Sequence, residues 1–163
     1  MICYRKATLE DLKRSWDREI LENPNDSRYL RWKDQFVRLN LDGRGATFFV
    51  LENEVPVGQG TVLFDPSERA VAGHPQLCDG KTIANVNTLR IEKHLEGQGH
   101  ISALMQLLES YAKEQGFTRL TIGVEAAETR NLAIYLHWGY DRFLMHKEED
   151  EALVLYFGKE LRK

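Results

Sequence analysis

The chain has 163 residues, of which 42% are hydrophobic and 29% are charged, with a formal net charge of -3. This length fits one domain, and the composition excludes intrinsic disorder. No apolar run approaches the ~18 residues of a membrane span, the first residues lack the apolar segment of a signal peptide, and the charge gives no reason to expect nucleic acid. With only Cys3 and Cys78, a disulfide framework is not expected. We therefore expect a single domain over residues 1–163, cytoplasmic, with neither nucleic acid nor a membrane as partner.

Helix and strand signals alternate along the chain without repeats or linker-like segments. The predicted elements are, in chain order, strand 1–7, helix 9–21, a helix from 26 or 27 to about 41, strands 46–51 and 57–64, loop 65–81, strand 82–91, helix 99–115, strand 117–125, helix 128–137, and strands 140–146 and 152–157, with a charged turn between the last two. Thr8 followed by Asp11 is a capping box for the first helix. The order predicts a mixed α/β fold, with a mostly antiparallel twisted sheet, one parallel β-α-β crossover and helices on both faces.

A glycine-containing turn joins the strand that ends at Ile91 to the long helix that follows. Gly97 and Gly99 at a helix N-terminus allow backbone N–H groups to converge on an anion such as a diphosphate. An ordinary helix-initiating turn is the alternative. No Gly-Lys-Ser/Thr follows, so the turn is not a P-loop, and Ser102 stands where a dinucleotide motif would have its third glycine.

The residues of this turn resemble the acyl-CoA loop of the GNAT superfamily of acetyl-CoA-dependent N-acyltransferases, (Arg/Gln)-x-x-Gly-x-(Gly/Ala). Residues 96–105 read EGQGHISALM. The family's basic or amide residue is replaced by His94 or Glu96, depending on the position from which the motif is counted. Glu96 thereby brings a negative charge close to the expected diphosphate.

A second segment, 131–140, reads NLAIYLHWGY and is similar to the family's N-x-x-A-x-x-L-Y-x-x-x-G-F helix. Tyr135 stands four residues before Gly139, as in the family, and Tyr140 takes the aromatic position. Asn131 is displaced from the usual spacing. Together the two segments identify the chain as a GNAT-like N-acetyltransferase.

The resemblance implies acetyl-CoA as co-substrate and direct attack of a primary amine on the acetyl thioester. It implies that Tyr135 is the general acid, because a phenol is protonated at neutral pH. It implies cofactor contacts from Leu89, Arg90, Ile91, Gly97, Gln98, Gly99, His100, Ile101, Ser102 and Asn131. Arg90, Lys93 or Arg130 would offset the diphosphate charge. The general base stays open between Glu92, Glu125 and a water held by Asn85 or Asn87.

The histidines and cysteines carry no further site in the sequence. The five histidines predict no metal site, since no tetrahedral ligand set is spaced for one. His100 and His137 are interpreted as surface residues, with a position near the cofactor as the alternative. Cys78 lacks the surroundings of a nucleophile.

The acceptor is expected to be a primary amine of a small molecule, cationic in one hypothesis, or of a peptide. The acidic run at 148–151 suggests attraction of a polycationic amine through Glu148, Glu149 and Asp150; a solvated hairpin tip is the alternative. The aromatic residues on the two N-terminal helices are interpreted as core and not as a substrate cage: Trp16, Tyr29, Trp32 and Phe36. Assembly into a homodimer is a further hypothesis. The alternative to an enzyme is a degenerate acyl-CoA-binding module that catalyses no turnover.

Overall fold

The structure is a computed structural model that describes residues 1–161. Its elements are β1 (Ile2–Lys6), α1 (Leu9–Glu22), α2 (Arg28–Leu41), β2 (Gly45–Glu52), β3 (Val55–Leu63), β4 (Ile83–Ile91), α3 (His100–Glu114), β5 (Arg119–Glu125), α4 (Thr129–His137), β6 (Arg142–Glu149) and β7 (Ala152–Glu160). A 3-10 helix, Lys93–Leu95, lies between β4 and α3. The predicted order of helices and strands is confirmed.

The sheet has seven strands in the order β1-β2-β3-β4-β5-β7-β6. β1 pairs with β2, β5 with β7 and β6 with β7, all antiparallel, whereas β4 pairs with β5 in parallel, joined through α3. The mixed α/β fold with one parallel crossover is therefore confirmed. A capping box also starts α1 as predicted: Asp11 N–H donates to Thr8 Oγ1 at 3.0 Å, and Thr8 N–H donates to Asp11 Oδ2 at 3.3 Å.

The second hairpin differs from the prediction. The charged turn was expected to begin after His146, but β6 continues to Glu149, and only Asp150 and Glu151 have the positive φ of a tight turn. Charged side chains are tolerated here because β6 is the edge strand of the sheet, where one side faces solvent. Lys147 also pairs with Glu149 at 2.7 Å, which neutralises part of the run.

The chain forms two compact units. Unit 1 comprises Met1–Thr61 and Thr88–Leu107. Its core includes Leu12 of α1 and the β2 residues Phe49 and Leu51. The rings of Trp16 and Phe36 stack with centroids 5.4 Å apart, and both are buried. These two aromatic residues thus belong to the core, as interpreted from the sequence, whereas Tyr29 and Trp32 are only half-buried.

Unit 2 comprises Val62–Asn87 and the chain from Leu108 onward. Tyr140 is fully buried and donates from its hydroxyl to Glu109 at 2.7 Å. The loop between β3 and β4 packs on β5, where Thr121 Oγ1 donates to the Leu77 carbonyl at 2.7 Å. Burial raises the pKa of the neighbouring Cys78 thiol to about 11, so the thiol is uncharged near neutral pH. Among residues 1–161, no helix is both long and apolar enough to cross a membrane.

Candidate active site

The turn before α3 belongs to unit 1. Gly97 and Gly99 have φ of +77° and +87°, and a Cβ on either residue would meet no atom within 4 Å. Glycine is therefore favoured by the left-handed backbone and not by crowding. Ala103 N–H donates to the Gly99 carbonyl at 3.0 Å, and within residues 1–161 the amides of 97–102 donate to no backbone carbonyl. These amides lie at the positive end of the α3 dipole, which suits a diphosphate.

The side chain of His100 contacts β1. Its Nδ1 lies 2.6 Å from the Tyr4 hydroxyl, and the ring is half-buried. Nε2 is buried and has no hydrogen-bond partner among the described residues. The expectation that His100 is a surface residue is therefore wrong, because its ring packs against Tyr4 and links α3 to β1.

The predicted pantetheine segment, Leu89–Ile91, forms the end of β4. The parallel register with β5 covers Ile83–Val86, and the strand continues beyond it to Ile91. A Cβ on Gly58 of β3 would lie 2.6 Å from Ile91 Cδ1 and 3.0 Å from the Arg90 carbonyl oxygen. Glycine at position 58 thus allows the end of β4 to sit close to β3.

The Arg90 side chain is held by two neighbours in unit 1. Its Nη2 donates to Glu19 Oε1 of α1 at 2.8 Å. The Gln59 amide is assigned with its oxygen toward the same guanidinium, because the opposite orientation would set N–H groups against N–H groups; in this assignment it accepts from Nη2 at 2.7 Å and from Nε at 3.1 Å. Gln59 is only 6% exposed, so Arg90 is braced from inside the fold. The Arg90 side chain thus has an acid and an amide partner on this side of β4, and its role in offsetting diphosphate charge stays a prediction.

A cavity of about 300 Å³ opens in unit 1 next to this pair. It is lined by Ser15, Arg18, Glu19, Glu22, Phe49, Pro56, Val57, Gly58, Gln59, Arg90, Ile91 and Glu92. Arg18 joins two of the acidic residues, donating to Glu22 at 3.3 Å and to Glu92 at 3.2 Å. The cavity thus has charged walls of both signs over an apolar floor, a combination found in sites for small polar ligands.

Tyr135 and Asn131 lie on α4 in unit 2. Burial, and secondarily the charge of Glu128, raise the pKa of Tyr135, which keeps the phenol protonated at neutral pH. Within residues 1–161 its hydroxyl makes no hydrogen bond to protein. Asn131 Nδ2 donates to Glu128 Oε2 at 2.5 Å. After α4 the Tyr140 N–H donates to the Tyr135 carbonyl at 3.0 Å, so the spacing of these two residues is set by the way the helix ends.

Comparison with known proteins decides the family. The model described as the acetyltransferase (GNAT) family matches residues 6–140. The chain belongs to this family. As a GNAT acetyltransferase it is an acyltransferase that uses acetyl-CoA as acetyl donor. No curated protein matches it.

Solved structures of GNAT proteins share the fold. An IAA acetyltransferase from Bacillus cereus ATCC 14579 is 17% identical with a TM-score of 0.66, and the match covers 99% of this chain and 100% of that one. A GNAT family acetyltransferase from Elizabethkingia anophelis with acetyl-CoA bound is 16% identical with a TM-score of 0.62, over 98% of each chain. A ribosomal-protein-alanine N-acetyltransferase from Brucella melitensis is 15% identical with a TM-score of 0.70, over 98% of this chain and 99% of that one.

The GNAT loop departs from the family pattern at His94 and Glu96. The Glu96 side chain is exposed, so its charge is screened by water. His94 lies between two carboxylates, with Nε2 3.6 Å from Glu52 and Nδ1 3.6 Å from Glu92. Neither residue replaces the missing arginine, but the amides of the turn remain available. The loop therefore fits a diphosphate through its backbone.

The candidates for general base occupy different surroundings. Glu92 lines the cavity of unit 1, half-buried. Glu125 is exposed at the end of β5, and Asn85 is 3% exposed with its Nδ2 donating to Thr121 Oγ1 at 2.9 Å. Asn87 is half-buried on β4. Of these four residues, Glu92 is the one among the lining residues of the cavity.

Nine of the twelve cavity residues were missed by the sequence analysis, among them Arg18, Glu19 and Gln59. Positions 15, 18, 19 and 22 share one face of α1, and that face is polar next to the apolar face of Leu12. In the sequence, such a polar face indicates only a helix face exposed to solvent. Gln59 gave a stronger signal, because an amide inside a buried strand must find a partner.

Proposed function

We propose that this GNAT protein transfers the acetyl group of acetyl-CoA to a primary amine of a small molecule or peptide by direct attack, without an acyl-enzyme intermediate. The observation that carries the proposal is the turn of Gly97 and Gly99, whose amides donate to no backbone carbonyl of the described chain, 1–161, ahead of α3. Acetyl-CoA supplies an activated thioester; positioning and proton movement are left to the chain.

Cofactor binding is assigned to backbone groups of unit 1. The amides of 97–102 would hold the diphosphate at the helix N-terminus. The backbone of Leu89–Ile91 would pair with the pantetheine amides as an added strand would. Asn131, bonded to Glu128, is kept as a proposed contact from unit 2.

Tyr135 is proposed as the acid. A thiol has a pKa of about 8.5, below that of the phenol, so the phenol is the weaker acid. Its contribution is a hydrogen bond donated to sulfur as negative charge develops there. The raised pKa of Tyr135 serves this role because the hydroxyl keeps its proton throughout the physiological range.

Glu92 is proposed as the group that takes a proton from the acceptor's ammonium, so that the neutral amine can attack the thioester. It lines the cavity; Arg18 Nη2 donates to its Oε1 at 3.2 Å, and His94 Nδ1 lies 3.6 Å from its Oε2. A carboxylate in this position accepts a proton directly or through one water. Glu125, or a water held by Asn85 or Asn87, is the alternative that the pH profile of a Glu92→Gln variant separates.

The test combines calorimetry with turnover. Acetyl-CoA and CoA are titrated into the protein, and thiol release is then followed with a library of amines. Binding with amine-dependent thiol release supports the proposal. Binding without turnover of any amine would favour a degenerate acyl-CoA-binding module, which Glu96 in the motif suggests, and absence of binding would exclude both functions.

A single acetyltransferase domain over 1–163 and a cytoplasmic location are proposed as well. The location follows from the two cysteines, Cys3 and Cys78, both of which are free thiols. Light scattering at several protein concentrations tests whether the chain forms a homodimer.

A further inference from the structure

The cavity of unit 1 carries information about the acceptor. Its walls hold three carboxylates and two guanidinium groups, and the charged side chains are Arg18, Glu19, Glu22, Arg90 and Glu92. The positive charges of a polyamine would be repelled by the two guanidinium groups. The negative charges of a dicarboxylate or phosphate would be repelled by the three carboxylates. A ligand with one charge of each sign meets a partner for both, and the excess of one carboxylate favours its ammonium group.

The cationic side of the cavity is prearranged at Arg90. Nη2 and Nε are engaged by Glu19 and Gln59, whereas within residues 1–161 Nη1 has no partner. Because Gln59 is buried, the guanidinium loses little further freedom when it binds an anion. Arg18 is already engaged by two carboxylates of the cavity, Glu22 at 3.3 Å and Glu92 at 3.2 Å, which offset its charge. Arg90 is therefore the group to bind a carboxylate.

The floor of the cavity is apolar. Phe49 and Val57 are buried, and Ile91 packs over Gly58. Such a floor favours a hydrocarbon side chain, and a volume of about 300 Å³ is at the small end of ligand sites. Resting on the proposed function, we propose that the acceptor is a free α-amino acid with an apolar side chain, its carboxylate bound by Arg90 and its amine directed to the carboxylates of the cavity.

The experiment compares each L-amino acid with its own carboxamide, alongside putrescine and an unblocked tripeptide. Thiol release gives kcat and KM, and calorimetry in the presence of CoA gives acceptor affinity. We expect kcat/KM for apolar amino acids to exceed that of their amides by at least about tenfold, mainly through KM, because a charge-assisted hydrogen bond is lost in the amide.

Substitution at Arg90 tests the assignment. In Arg90→Gln the ratio of acid to amide should fall to about one, and Arg90→Lys should restore part of it because it keeps the charge but not the planar fork. Arg38→Gln is the matched control, an exposed arginine of the same unit paired with Asp34 at 3.0 Å outside the cavity. Thermal unfolding and acetyl-CoA affinity establish that each variant is folded.

The outcomes separate this inference from the proposed function. Equal rates with acid and amide, or a preference for putrescine or the tripeptide, would overturn the amino-acid assignment while acetyl transfer stands. If no amine is acetylated, the proposed function fails, and calorimetry still decides the inference: tighter binding of the amino acid than of its amide supports it, and equal or absent binding refutes it.

Discussion

The turn before α3 allows a test in which backbone strain and space are matched. Gly97 and Gly73 have φ of +77° and +81°, and a Cβ on either would meet nothing within 4 Å. Alanine at each position pays the same conformational penalty, about 1–2 kcal/mol in the left-handed region. Gly97 lies in the proposed diphosphate turn, whereas Gly73 lies in the loop between β3 and β4. The two variants should therefore lose similar stability and differ in cofactor binding.

The magnitude follows from the freedom of the turn. Because nothing surrounds the added methyl group, the free loop can relax out of the left-handed conformation. The amides converge on a diphosphate only when residue 97 returns to the left-handed conformation. The conformational penalty is therefore incurred when the ligand binds. A cost of about 1–2 kcal/mol corresponds to roughly a 5- to 30-fold rise in Kd for acetyl-CoA. Each variant should lower Tm by no more than about 2–8 °C at this chain length.

Calorimetry with acetyl-CoA and with CoA is the assay, and thermal unfolding is the control. Both ligands carry the diphosphate, so Gly97→Ala should weaken them equally, while Gly73→Ala binds them as the unmodified protein does. Unchanged affinity in Gly97→Ala would refute the assignment of the turn. An equal loss in Gly73→Ala would show that affinity reports general destabilisation.

Three further predictions concern single side chains. Tyr135→Phe should lower kcat at least about tenfold without changing the affinity for acetyl-CoA, because one hydrogen bond to the leaving sulfur is lost; an unchanged kcat would remove Tyr135 from the mechanism. Burial alone would raise the pKa of Asp79, but hydrogen bonds from the backbone of Ile83, Lys81 and Thr82 and from the Thr82 hydroxyl lower it to about 2. This depressed pKa stabilises the fold above the unfolded value near 3.9 and the contribution is lost as pH falls toward 2, so denaturation in urea should show Asp79→Asn less stable at neutral pH and the difference shrinking in acid. Tyr140→Phe should cost about 1–2 kcal/mol of unfolding free energy, since Glu109 keeps Lys159 but loses the phenol donor; a neutral effect in the same denaturation experiment would mean that water replaces the hydroxyl.

The sequence predicted most of the fold because its signals are local. The capping box of Thr8 and Asp11 is formed, and Leu39 is buried on the apolar face of α2. Leu41, at the end of the same helix, is 67% exposed. The extent of β6 was harder to predict, because a charged edge strand and a charged turn have the same composition.

In the candidate site, too, local features could be predicted and tertiary contacts could not. The backbone cradle could be predicted from two glycines and a helix start, because the determinants are adjacent in sequence. The cavity could not, because Glu19 and Gln59 meet Arg90 only after α1, β3 and β4 assemble. Side chains that gain their meaning from tertiary contacts carry little signal in a single sequence.

The effect of the chain's excess negative charge on a ligand depends on where the acidic residues lie. In the hairpin, Glu149 is already paired with Lys147 and accepts a hydrogen bond from Tyr156 at 3.1 Å, so one of the three residues proposed to attract a polycation is largely neutralised. In the cavity of unit 1, three carboxylates and two guanidinium groups line one concave site together with the apolar side chains of Phe49 and Val57. Charges that face one concave site act together on a ligand, which focuses their field more than separate charges on an exposed hairpin do. Discrimination among amines is therefore expected to follow substitutions at Arg90 and Glu19 more closely than substitutions at Glu148 or Asp150.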